Sequence, residues 1–421
     1  MRCHIGGLVG LLALLAFFPL TCTQPTRPPA VPAGTQVDPA PPEIVIRPVR
    51  VLLQSDVETA HVAVAGPCEV RNPVNGETLD RLPVLASSSV RCRPGGFEIG
   101  PRTYVGATID LAPTAGAVVA VENKRCRGAL RLVRRPGNRF HVINVVPMEQ
   151  YLASVMAGEM PASWPEEALK AQIVAARTYA VYQAAHRSPA ALFDVQADTR
   201  SQVYPGLSSE TARSRRLVAE TAGVVLTCAG RLLCTYYSST CGGHTQDVRH
   251  VFTTPAVPPL AGVPCPYCTS SKYYHWNRTL DMATISEGIG AALARGGKTV
   301  GSVTSLQVLE RAASGHIARI RVVGTEGTAE LTGKAFRHAL GTAVIRSTRF
   351  QMEPAAKAIR FSGRGFGHGV GMCQVGAKGA AEAGLDFMAI LRYYYPHSTP
   401  VRAATPGAQD AAGRAASTRS R

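Results

Sequence analysis

Four groups of residues in this chain have types and spacings that suit chemistry. The first is a single acid. Between Pro147 and Arg187, Met148, Tyr151, Leu152 and Val155 recur at helical spacing, and Glu159 continues that series four residues after Val155. Glu159 is therefore expected on the apolar, protein-facing side of its helix, whereas Glu149 falls off the stripe. Pro161 stops the helix directly after it. A carboxyl on the apolar side of a helix end is desolvated, which raises its pKa. General-acid chemistry near neutral pH needs such a group. The plainer alternative is a buried glutamate satisfied by backbone amides or by Arg177.

The second group is Cys241-Gly-Gly-His244 followed, after twenty residues, by Cys265-Pro-Tyr-Cys268. A Cys-x2-His pair and a Cys-x2-Cys pair supply the four ligands of a closed tetrahedral zinc site, structural because no position is left open. His275 lies near enough to replace one ligand. One or two disulfides are the alternative, and they leave His244 without a reason. The third group, Gly363-Arg-Gly-Phe-Gly-His-Gly-Val-Gly371, has glycine at every second position. An extended conformation would leave one face bare, for a sugar ring or a packed helix, and set Arg364, Phe366, His368, Val370 and Met372 on the other. No Gly-Lys-Ser/Thr follows, so it is not a phosphate loop. The alternative is a tightly packed strand with His368 a satisfied core histidine. The fourth, Asp198-Thr-Arg-Ser-Gln202-Val-Tyr204, either binds a sugar or caps a turn. Ser239 lacks the Gly-x-Ser-x-Gly surroundings of a nucleophile elbow.

The elements that must position these groups follow from the same text. Ser163 and Glu166 have capping-box spacing for a second helix, with Pro165 in its first turn. Ala168, Ala171, Ala175, Ala176 and Ala180 along that helix let neighbours approach closely. Before the helical pair come short apolar runs (IVIRPVRVLL, HVAVAG, GALRLVRR, RFHVINVV), a β-rich region of about a hundred residues from Ile44. After it come a helix from Ser208 to Thr221 and a hairpin whose flanking Cys228 and Cys234 are placed for a cross-strand disulfide. Residues 278–352 alternate helix and strand and read as a small inserted α/β subdomain. The expected class is α+β: a β-rich main domain over 44–401 with a central helical pair and one insertion.

The chain has 421 residues, 46% hydrophobic and 17% charged, with a net charge of +17. Its basic residues are spread out and lack the basic run with interleaved aromatics of a nucleic-acid binder. They suit an anionic surface such as a cell wall or lipid headgroups, or form a solvated arginine-rich surface. Residues 1–22 read as an export signal; Cys22 closes it, either as a lipid-anchor site or beside an ordinary cleavage point. A Pro-rich linker over 23–43 follows, and 402–421 read as a disordered tail. The expected location is the periplasm or cell envelope. Of the 11 cysteines, Cys68, Cys92 and Cys126 leave an odd thiol in the N-terminal region.

Taken together, MEQYLASVMAGEMPASWPEEALKAQIVAARTYA, ADTRSQVYPG, YYSSTCGGHT, VPCPYC and GRGFGHGVGMCQVGAKGAAEAG with the following LRYYYP resemble the family of stage II sporulation protein D and the LytB amidase-enhancer proteins. The resemblance spans about Ile44 to Pro400 and keeps the family's motif order. It implies a peptidoglycan-active protein. Sporulation members are lytic transglycosylases whose catalytic glutamate stands in the Glu-Met-Pro motif, here Glu159. LytB-type members are described as enhancers of a separate amidase, and some members bind zinc through the Cys/His turn. Cys373 stands where the family commonly has Ser. The expected mechanism uses Glu159 as both acid and base on the bond between N-acetylmuramic acid and N-acetylglucosamine, with Arg177, Gln202, Tyr204, Arg364 and His368 positioning the glycan. Asp194 and Asp198 are the nearest carboxylates if the reaction is hydrolysis. The second reading is a non-catalytic wall-binding module that recruits an amidase.

Overall fold

The computed structural model describes residues 43–404; the export signal, the linker up to residue 42 and the tail beyond 404 lie outside the described residues. The apolar runs of the N-terminal half form two sheets. In the first, Val49–Val57 pairs with Arg139–Val146, which pairs in turn with Ala129–Arg135, Thr108–Pro113 and the Cys68–Arg71/Thr78–Leu82 hairpin. The second is built around Thr59–Ala65, between Val118–Val121 and Leu85–Arg93. Alternation buries Ala60, Val62 and Val64 from one strand and Leu130 and Leu132 from another in a common core. The class is α+β and β-rich.

Two helices cross this core's open side: α1 (Met148–Glu159) and α2 (Glu166–His186). Met160 ends α1 in extended backbone, ahead of Pro161. The expected capping box does not form. Pro165 is the N-cap of α2, so Ser163 falls outside the first turn. Ala168, Ala171, Ala175, Ala176 and Ala180 are all buried along α2. Around it pack α3 (Ala212–Glu220), the strand Val224–Cys228, α6 (Gln374–Glu382) and α7 (Phe387–Tyr394). Cys228 and Cys234 are both free thiols, as are all nine cysteines among the described residues. The fold continues past residue 401: Arg402 pairs with Val224, and Ala404 bridges Val45.

The subdomain has its own core, with Trp276, Ile285, Phe336, Phe350 and Phe361. It holds α4 (Met282–Ala294) and α5 (Gly333–Ala339) against the sheet Val303–Arg311, Ile317–Gly324 and Gly327–Thr332. Its first and last strands, Trp276–Asp281 and Ala358–Gly363, pair with each other, and Phe350–Ala355 flanks the latter on its other side. Trp276 and Phe361 on these strands belong to the same core as the side chains of residues 278–352.

Candidate active site

Glu159 is the last residue of α1, half-buried at the floor of a cleft of about 570 Å3. Its position depends on a close approach. Gly158, the preceding residue, lies where an added Cβ would stand 2.5 Å from the Val203 carbonyl. The 202–205 loop therefore rests directly on the end of the helix. The Val203 N–H donates to Glu159 Oε1 at 2.7 Å, and Gln374 Nε2 donates to Oε2 at 3.4 Å and to the Glu159 carbonyl at 3.3 Å. Burial raises the Glu159 pKa; hydrogen bonds from Val203, Gln374 and Tyr237 oppose that rise without cancelling it.

One wall of the cleft comes from the main domain, with Tyr179, Tyr236, Tyr237, His368 and Gln374. The other comes from the subdomain, with Lys334, Arg337, His338, Thr342 and Thr348. Among the described residues that line it, Glu159 is the sole carboxylate. Asp194 is buried in a pair with Arg50 away from the cleft, and Asp198 is engaged by Arg200 at 2.6 Å.

The other anticipated positions divide. His368 lies in the wall. Its ring is edge-on to Phe252 and Tyr236, which stack on each other at 4.1 Å. Burial, helped by the charge on Arg337, holds its pKa down to about 4, so it is a neutral imidazole at neutral pH, with Nδ1 accepting the Val370 N–H. Gln202 stands behind the site. It accepts from Tyr151 Oη at 2.9 Å and donates to Tyr237 Oη at 3.0 Å, fixing the tyrosine beside Glu159. Tyr204 is buried and donates to Asn144, not into the cleft. Arg177 is fully buried and forked onto Glu149 at 3.0 and 2.6 Å. It neither faces substrate nor satisfies Glu159. Arg364 is exposed, with its guanidinium over the Tyr274 ring at 5.7 Å, and does not line the cleft.

The glycine segment is not an extended strand. Gly365, Gly367, Gly369 and Gly371 all have positive φ, at 89°, 117°, 80° and 71°. A Cβ at Gly371 would stand 1.9 Å from the Tyr236 carbonyl, and one at Gly367 2.8 Å from Ser238 Cβ. The bare backbone is thus consumed by packing on the 236–241 segment, which fixes Tyr237 and His368 together.

The cysteine centre also differs from its expected ligands. Cys241, Cys265, Cys268 and Cys373 are all buried, with their sulfurs within 4.8 Å of one another. His244 is absent from the set. Gly242 and Gly243, at φ of 74° and 107°, turn the chain so that His244 Nδ1 meets the Thr245 carbonyl. His275 packs on Tyr274 instead. Cys373 takes the fourth place and also accepts the Cys241 N–H at 3.2 Å. The Cys241–Cys268 sulfur separation of 3.7 Å matches the edge of a tetrahedron with metal–sulfur bonds of about 2.3 Å. Four buried thiols at this spacing form a set able to bind a metal ion. Cys373 is also the N-cap of α6, and the next residue is Gln374, the partner of Glu159. One sulfur of the centre and the side chain that holds the acid are therefore neighbours in the chain.

Sequence reasoning missed Tyr237, Gln374 and the subdomain wall. Tyr237 and Gln374 lay inside quoted motifs, but only folding shows that they meet Glu159. Comparison with known proteins gives the family. The profile described as "Stage II sporulation protein" matches residues 136–228, and one described as "Domain of unknown function (DUF8618)" matches 267–371. The chain is 33% identical to stage II sporulation protein D of Bacillus subtilis, over 59% of this chain and 73% of that protein. It is 35% identical to an uncharacterized protein of Brachyspira hyodysenteriae, over 60% of this chain and 66% of that one. It is 31% identical to the amidase enhancer of Bacillus subtilis, covering 59% of this chain and 40% of the enhancer. The chain belongs to the stage II sporulation protein D family.

Proposed function

We propose that this protein is an exported peptidoglycan lytic transglycosylase of the cell envelope, with Glu159 as its single acid and base. The observation that carries this reading is the desolvated Glu159 carboxyl, alone of its kind among the described residues lining the cleft. Protonated Glu159 gives its proton to the oxygen joining N-acetylmuramic acid to N-acetylglucosamine, and the C1–O bond breaks. The oxocarbenium-like muramyl centre is then captured by the sugar's own C6 hydroxyl oxygen. Glu159, now a carboxylate, takes the hydroxyl proton as the anhydro ring closes. Because the nucleophile belongs to the substrate, no second carboxylate is required, unlike in glycosidases that activate water or form a glycosyl-enzyme. The Val203 N–H and Gln374 hold the carboxyl in place. Tyr236 and Phe252 line the cleft beside it and add apolar contact for a glycan.

Cys241, Cys265, Cys268 and Cys373 would hold a zinc ion. With all four positions filled by sulfur it would supply a structural cross-link. Through Cys373 that cross-link would steady Gln374.

The second reading, a non-catalytic activator of a wall amidase, is favoured by the similarity to the Bacillus subtilis amidase enhancer. Mass spectrometry of muropeptides after incubation with peptidoglycan separates the two. Anhydro-muramyl products with wild type and none with Glu159→Gln are expected. Reducing-end products would mean hydrolysis, and no glycan products from either protein, on intact or peptide-free glycan, would favour the activator.

A further inference from the structure

The subdomain wall facing Glu159 is cationic. Lys334 and His338 of α5 line the cleft with Arg337 between them, and His250 of the main domain lines it as well. Lys334, Arg337 and His338 enter no ion pair among the described residues, whereas Arg319, Arg321 and Arg360 of the same subdomain each face a glutamate. Arg337 spends its donors on the carbonyls of Thr342, Ile345 and Arg346. It thus leaves net positive charge in a desolvated wall, where a cation without a counter-ion is costly. Burial lowers the Arg337 pKa to about 10. Lys334 Nζ sits 4.6 Å from the centroid of the Phe252 ring, which is stacked on Tyr236. An ammonium held over the Phe252 ring in the cleft wall suits a sugar that carries an acid.

From this juxtaposition we infer that Lys334, Arg337 and His338 form a carboxylate subsite, so that the protein recognises glycan by an anionic substituent on the sugar bound in the cleft beside them. The inference rests on the glycan reading given above. In a peptidoglycan strand the carboxylate has two sources: the bare lactyl group of N-acetylmuramic acid, or the acidic groups of an attached peptide. Arg337 and the half-buried Lys334 supply the field, and the exposed His338 a donor at its edge.

Calorimetric titration of the full-length Glu159→Gln protein tests this without requiring turnover. The probes are a muramyl tetrasaccharide with free lactyl acids, the same tetrasaccharide with each acid converted to its neutral methylamide, and one bearing stem peptides. The free acid is expected to bind about 10-fold more tightly than the methylamide, the scale of one charge-assisted contact. That preference should shrink at high salt, fall several-fold on Lys334→Gln and return on Lys334→Arg. If the peptide-bearing fragment binds more tightly than the free acid, the stem peptide is the source of the anion; the reverse order assigns it to the lactyl group. Equal affinity for acid and methylamide, or no binding of any fragment, overturns the subsite. Acid preference in binding, with no anhydro products from wild type, would overturn the transglycosylase reading and leave the subsite standing. Cleavage with no acid preference would do the opposite.

Discussion

At the scale of the residue, Glu159 holds a proton more tightly in the folded chain than in the unfolded one, because burial raises its pKa. Between the unfolded and folded values the native state binds more protons, so this group costs stability as pH rises. Glu159→Gln removes that cost and keeps an oxygen for the Val203 N–H. The variant should melt at or above the wild-type temperature at neutral pH while losing its glycan cleavage, by 100-fold or more on the usual scale of about 10²–10⁴ for acid–base catalysis. A variant that lost both together would argue that the carboxyl is structural. Wild-type cleavage should fall on an alkaline limb lying above the ordinary carboxylate range. Arg177 makes the contrasting case. Fully buried and forked onto Glu149, it should cost about 2–5 kcal/mol of stability in denaturant titration when changed to Ala, because a cavity is left behind and the Val218 and Val224 carbonyls lose a donor. The sequence placed Glu159 on the apolar side of its helix because helical spacing carries that information. It assigned Arg177 to substrate because spacing says nothing about which of two glutamates a guanidinium will reach.

At the scale of the element, the site is a junction of chain segments: the end of α1, the 202–205 loop, the 236–241 segment and the start of α6. Replacing Gly158 with Ala would force a Cβ against the Val203 carbonyl at 2.5 Å, so the loop must shift and the Val203–Glu159 bond must lengthen. A destabilisation of about 1–3 kcal/mol is expected from such overpacking, with cleavage falling further than the melting shift explains. The start of α6 is fixed from its other side by Cys373. Cys373→Ser keeps an oxygen to cap the helix but removes one sulfur of four. Native mass spectrometry should show bound metal dropping below one per chain, and the melting temperature should fall to that of chelator-treated wild type. Unchanged metal content would sink the four-sulfur site. Here the sequence was half legible. Cys241, Cys265 and Cys268 came from paired spacing, but the fourth sulfur lies over a hundred residues along the chain, where no local pattern points to it. The alternate glycines were visible too. Their positive φ was not, because a regular glycine period fits a strand as well as a left-handed loop.

At the scale of the whole molecule, main domain and subdomain meet at the cleft, and buried neutral histidines stand on the seam. His316 of the subdomain is 1% exposed and bonds Ser314, which reaches Gln246 of the main domain; the Gln246 N–H in turn donates to the Gly369 carbonyl. This seam was not legible in the sequence, since contacts among His316, Ser314 and Gln246 join residues about seventy positions apart. Burial holds the His316 pKa at about 3, against 6.5 for a free imidazole, and His368 in the cleft wall is held at about 4. Arg349, His244 and His250 push His316 the same way, and Arg337 and Lys334 do so for His368. For a group whose folded pKa is depressed, the unfolded chain takes up protons first as pH falls through 6.5. The stability associated with the neutral form is therefore present above 6.5 and is lost progressively as pH drops toward the folded values. Thermal melts from neutral pH down to about pH 4 should show a steep loss in the wild type, and His316→Gln should flatten it while lowering the neutral-pH melting temperature through the weakened seam. Parallel curves for the two proteins would mean that the seam histidine takes no part in acid sensitivity.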